Sequence, residues 1–192
     1  MTTASFTLQA NTTYLVFAFT ESATGDSATF SSTFPGNPVF TPIGAGSLTY
    51  NGIDYEFGQW LTGGASDVTG QLRVTFVKGT SQAYLQVIQV NGTNISAPIA
   101  QSAYTSGNNT NPYTANLPAP PSSGDQEVVF LTGGEDLGAS PPPPTPSMTN
   151  LIYLHTMAGS AGSYASVSAT QNTSFSGSNH HWGTIAVDIN HP

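Results

Sequence analysis

The run Tyr14-Leu15-Val16-Phe17-Ala18-Phe19 constrains the fold more than any other part of this chain. In an extended strand successive side chains point to opposite faces, so an unbroken apolar run makes both faces apolar. Such a strand must be covered on both sides. It is far shorter than the roughly 20 apolar residues that a membrane-spanning helix needs. The segment therefore predicts a central strand in a layered β structure.

The remaining sequence supplies its neighbours. No long window sustains the 3.6-residue apolar period of an amphipathic helix. Gly (20) and Pro (14) are scattered among Thr, Ser, Val and Tyr, which is the vocabulary of strands and turns. Strands are predicted at residues 4–9, 13–20, 71–77, 83–90, 127–132 and 182–189. Ser47-Leu48-Thr49-Tyr50, then Asn51-Gly52, then Ile53-Asp54-Tyr55-Glu56-Phe57 reads as a hairpin, because Asn-Gly tolerates the positive φ of a type I′ turn. Asn91-Gly92 predicts a second hairpin into residues 93–96. A third is predicted between residues 151–157 and 162–170. Residues 97–124 and 133–149 are rich in Gly, Asn and Pro and read as long loops. The sum is an all-β chain of about nine to ten strands. Such a count suggests a single antiparallel β-sandwich domain over residues 1–192, jelly-roll or immunoglobulin-like. Leu-Thr-Gly-Gly occurs at 61–64 and again at 131–134, too short a match to define a repeat.

Composition narrows the function. Only 6% of the residues are charged, against about 25% in an average soluble domain. Arg73 and Lys78 are the only basic side chains besides histidine, and the formal net charge is −8. Neutralising phosphates needs clustered cations, so neither nucleic acid nor an anionic membrane is an expected partner. With no cysteine, thiol nucleophiles, cysteine zinc sites, iron–sulfur clusters and disulfides are excluded. The opening Met1-Thr2-Thr3-Ala4 lacks the basic region and apolar run of a secretory signal, so synthesis in the cytoplasm without export is expected.

Candidate chemical groups are few. Asp54 and Glu56 share one face of a strand, the spacing at which paired carboxylates could act on a glycosidic bond. The same pattern is expected of a strand with one wet face. Glu135-Asp136 could ligate calcium from a loop, but no Asp-x-Asp-x-Asp-Gly pattern accompanies them. His180 and His181 are adjacent and would point to opposite faces if extended, so they do not form a chelating pair. No Gly-x-Ser-x-Gly, His-Glu-x-x-His or phosphate-binding glycine loop occurs. No enzyme activity, cofactor or metal is expected. The aromatics offer a contact surface instead: Tyr104 and Tyr113 in the 97–124 segment, with Trp60 and Trp182.

Ser5-Phe6-Thr7-Leu8-Gln9 leading into residues 14–19, Pro118-Ala119-Pro120-Pro121 before residues 127–132, and the closing strand at 182–189 together resemble the small β-sandwich structural proteins of tailed-phage virions. That group includes minor tail, fibre or tip, and capsid decoration proteins. The resemblance implies a non-enzymatic protein of the virion surface, assembling with other virion proteins as a homo-oligomer, with a host-surface glycan as a possible further ligand. Two other classes compete with it. A carbohydrate-binding module would need exposed aromatics in a row. A polysaccharide-active enzyme would need Asp54 and Glu56 accessible.

Overall fold

In a computed structural model the described residues are 1–134, 137–156 and 159–191. They form sixteen strands and no helix. The chain is the antiparallel β-sandwich that the sequence predicts, with more strands than the nine or ten expected.

The first half contributes β1 (Phe6–Leu8), β2 (Thr13–Ser22), β3 (Ala28–Ser32), β4 (Thr41–Tyr50), β5 (Asp54–Thr62), β6 (Val68–Gly70), β7 (Leu72–Phe76) and β8 (Thr80–Val90). The second half contributes β9 (Ile99–Thr110), β10 (Tyr113–Asn116), β11 (Gln126–Gly133), β12 (Pro144–Thr145), β13 (Thr149–Thr156), β14 (Gly159–Ser166), β15 (Asn172–Phe175) and β16 (His180–Ile189). Two large sheets lie face to face. The first has four strands in the order β4-β5-β2-β8, and the second has five in the order β13-β14-β11-β16-β9. Between them lies a core of Leu15, Phe17, Phe19 and Ile88 from the first sheet and Val128, Phe130, Ile185 and Val187 from the second. Small sheets cover both outer faces. The pairs β1-β6 and β3-β7 close over Tyr14, Val16, Leu61 and Ala18. The group β10-β15-β12 closes over Val129, Leu131, Tyr164 and Trp182. This four-layer stack explains why residues 14–19 are apolar on both faces: all six are buried.

The two halves repeat one topology. β2 and β11 are each flanked by the strand that closes the following hairpin (β5, β14) and by the last strand of the half (β8, β16). β4 and β13 pair outside β5 and β14. β1 pairs with β6 as β10 pairs with β15, and β3 pairs with β7 as β12 pairs with β15. Phe17 and Phe130 stack at the centre, their ring centroids 5.0 Å apart and their planes at 6°. Thr132 lies beside Glu56, whose ladder partner is Phe19, so β2 and β11 point the same way. The halves are thus related by a rotation about an axis roughly parallel to the strands. The two Leu-Thr-Gly-Gly tetrapeptides play no part in this repeat, since one ends β5 and the other ends β11.

Three local expectations need correction. Residues 97–124 are not a loop, because they hold β9 and β10. Asn91-Gly92 does not close a hairpin: Gly92 turns at φ 69°, but the chain crosses to the second sheet and pairs with β16 through β9. The third is the face of β5, described below. Asn51-Gly52 does turn the chain at the predicted place, with φ 50° and 76°, but Ile53 is a third turn residue inside the Tyr50–Asp54 pair. β13 and β14 form the predicted third hairpin with a shifted second strand, which runs Gly159–Ser166 instead of 162–170.

Candidate functional site

Asp54 and Glu56 were expected on the wet face of their strand, and both are fully buried. β5 is covered on both sides: Tyr55 and Phe57 face the outer cover, while Asp54 and Glu56 face the second sheet. Alternation in the sequence marks two faces but cannot say that both are covered. The Tyr50 hydroxyl lies 2.7 Å from the Thr132 hydroxyl, which donates to Glu56 Oε1. Thr132 has one proton to give, so Tyr50 donates to it and the relay runs Tyr50 to Thr132 to Glu56. Glu56 Oε2 has no hydrogen-bond partner among the described residues. Burial, reinforced by the neighbouring Asp54 carboxylate, holds Glu56 well above the usual carboxylate range, against the opposing Thr132 hydrogen bond. Asp54 packs so closely on Gly134 that a side chain there would strike its carboxylate. Shut between the sheets, this pair cannot meet a polysaccharide. It fixes how the two sheets face each other.

The proposed contact aromatics are also placed inside. Tyr113 is fully buried in β10, tilted against Trp182 at 5.7 Å between ring centroids, and its hydroxyl donates to the Ser178 carbonyl. Burial pushes the Tyr113 hydroxyl up to about 12. Trp182 is buried and donates through its indole N–H to Thr110. Tyr104 is half-buried in β9 and donates to the Ile43 carbonyl across the sandwich. Trp60 is half-buried against the central core. These four residues therefore form no exposed row. The reason is the same for Tyr104 and Tyr113: their segment is strand, not loop, and strands in this stack are covered. Glu135 and Asp136 lie outside the described residues. His180 and His181 open β16, and no group of three metal-ligating side chains occurs among the described residues.

What the sequence reading missed is a sheet edge. β8 ends the first sheet and β13 ends the second. β8 lies above β14: Gln86 donates to the Ala161 carbonyl and accepts from Ser163, and Tyr84 donates to the Gly159 carbonyl. β13 therefore projects one strand beyond β8. A groove of about 480 Å³ runs along this step, lined by Ala4, Phe6, Leu85, Gln89, Ile152 and Leu154 among others. Leu151 and Leu154 of β13 are exposed. Natural sheet edges are commonly blunted by lysine, proline or inward charge. Neither β8 nor β13 carries an aspartate, glutamate, lysine, arginine or proline, and His155 is the one titratable imidazole on β13. The bulge at Leu151 bends only the start of β13, and residues 152–156 pair regularly with β14. The signal was present in the sequence as two uncharged, proline-free runs, but nothing there said that both were edges.

No protein-family model matches the chain. No curated protein matches it either. Among solved structures, one described as manganese lipoxygenase of Gaeumannomyces graminis with part of zonadhesin of Komagataella pastoris aligns over 99% of this chain and 74% of its own. That alignment has 10% identity and a TM-score of 0.18, too low to carry an argument about fold or activity.

Proposed function

We propose that this chain is a non-enzymatic structural protein of a phage virion surface, a tail, fibre or capsid-decoration component that works by protein–protein contact. The observation that carries the contact role is the unguarded step between β8 and β13, where two uncharged edges flank an apolar groove. An open edge offers a row of backbone donors and acceptors to a second polypeptide, and the groove adds apolar burial. The interior position of Asp54 and Glu56 removes the one carboxylate pair that suggested hydrolysis. The virion setting comes from the resemblance of the sequence pattern, and symmetric multimers are its expected form. The test is mass spectrometry of particles purified from an infected or induced culture that expresses this protein. The chain should be present at a fixed ratio to the major capsid or tail proteins through a density gradient. Its absence from purified particles would overturn the virion assignment.

A further inference from the structure

The repeat in the fold shows that one position in it is vacant. In the second half, β9 pairs with the outer side of β16 and completes the five-stranded sheet. It lies between β10 in the cover and β4 of the facing sheet, with which Tyr104 makes its hydrogen bond to Ile43. The counterpart of β16 in the first half is β8, and no strand pairs with its outer side among the described residues. The counterparts of β10 and β4 are β1 and β13. The groove beside β8 is lined by Ala4 and Phe6 from the β1 side and by Ile152 and Leu154 from β13. It is the place that β9 fills on the other half, left open here.

We infer that a second copy of this chain fills it, each copy laying its β13 against the other's β8. Three observations favour a second copy over an unrelated strand. First, the step is self-complementary. The first sheet stops one strand short and the second projects by one strand, so a copy turned about an axis parallel to the strands brings its projecting β13 into the gap. The same rotation sets its β8 beside the first copy's β13. Second, the directions match. β8 runs opposite to β2, while β13 runs with β11 and hence with β2. Rotation about an axis along the strands preserves direction, so both new ladders are antiparallel, the better-bonded arrangement. Third, the surfaces match. Neither strand holds an aspartate, glutamate, lysine or arginine, and Leu154 and the half-buried Ile152, which line the groove, would be covered in the pair. A dimer that paired β8 with β8 in one continuous sheet would instead drive each projecting β13 into the other copy's β14.

This inference deepens the contact reading above by naming the partner, and it can fail without the virion assignment failing. Light scattering on the full chain at about 10–100 µM, a range in which dimers of moderate affinity form, should give twice the monomer mass of 19.9 kDa. Leu154→Asp should halve the mass while keeping the single thermal transition of the parent. Should that variant misfold, Gln89→Lys, at an exposed position lining the groove, serves the same purpose. Val77→Asp, at a 67% exposed position beyond the end of β7, should stay dimeric. A parent that is monomeric throughout the range overturns the inference. So does a dimer that survives both edge variants, or one lost equally in Val77→Asp. Each of these results leaves the particle measurement to decide the virion assignment separately.

Discussion

The two halves of this molecule solve the same packing problem with different chemistry. Phe17 pairs with Gly58 on one side and Gln86 on the other, and Phe130 pairs correspondingly with Ser163 and Ile185. Across the sandwich, Ile185 fits against Gly58, where a Cβ would lie 3.4 Å from its Cδ1. At the equivalent place Gln86 fits against Ser163 and bonds to it and to the Ala161 carbonyl. One slot is filled over a bare backbone by Ile185 and by Tyr104, whose hydroxyl is bonded to the Ile43 carbonyl, and the other by a satisfied polar pair. The lesson is that a buried slot fixes volume and hydrogen-bond completeness together, and either solution serves if it is complete.

The comparison can be broken most severely at its centre. Phe17→Ala and Phe130→Ala should each cost about 3–5 kcal/mol in urea unfolding. The double variant should cost less than their sum, because the two rings share one stacked contact. Equal and additive losses would mean that the rings do not support each other. The polar slot sharpens the comparison at smaller scale. Gln86→Ile alone strands the Ser163 hydroxyl and should cost about 1–3 kcal/mol. Adding Ser163→Gly recreates the Gly58–Ile185 arrangement and should recover most of the loss, read as a return of the denaturation midpoint. A double variant weaker than either single would show that the two slots differ in shape as well as in polarity.

Buried acids occur in both halves, at positions that do not correspond. Glu56 in the first sheet corresponds to Ala161 in the second. Burial raises Glu56 above its unfolded value, so the folded chain holds that proton more tightly than the unfolded one. Its stabilising effect is complete below the ordinary carboxylate range and is lost as the pH rises through the raised folded value. Glu127 and Asp188, also raised mainly by burial, act in the same direction. Asp26 acts oppositely. Burial would raise it, but the backbone N–H groups of Lys78, Ser27 and Val77 and the Ser22 hydroxyl together lower it, so its contribution fades in acid. The melting temperature should fall from mildly acidic toward alkaline pH, and Glu56→Gln should flatten that slope while keeping the Thr132 contact. An unchanged slope in Glu56→Gln would assign the effect to the other acids.

How much of this was legible depended on whether a signal is local. Residues 14–19 announced a doubly covered strand, and Asn51-Gly52 announced its turn, because each depends on its own side chains and dihedrals. β9 is not legible locally, because an edge strand with Gln101, Ser102, Ser106, Asn108 and Asn109 carries little apolar periodicity, and its ladder to β16 comes from 70 and more residues away. The face of Asp54 and Glu56 is hidden from the sequence for a related reason: which side of β5 meets a second sheet is decided by the other half of the chain. The repeat leaves little trace in the sequence because it resides in strand order. Phe17 and Phe130 keep their residue type, while Gly58 and Ser163, or Gln86 and Ile185, do not.

Among the described residues every strand ladder lies within one half, and what crosses between the two large sheets is almost wholly side chain. That has a consequence for the order of synthesis. A chain made from its N-terminus can complete all the ladders of β1 to β8 before β16 has been synthesised. At that moment Leu15, Phe17, Phe19 and Ile88 face water on the inner side of a finished sheet, waiting for Phe130 and Ile185. Until β11 and β16 emerge, that inner face has no partner sheet, so the time taken to translate residues 97–192 governs its exposure.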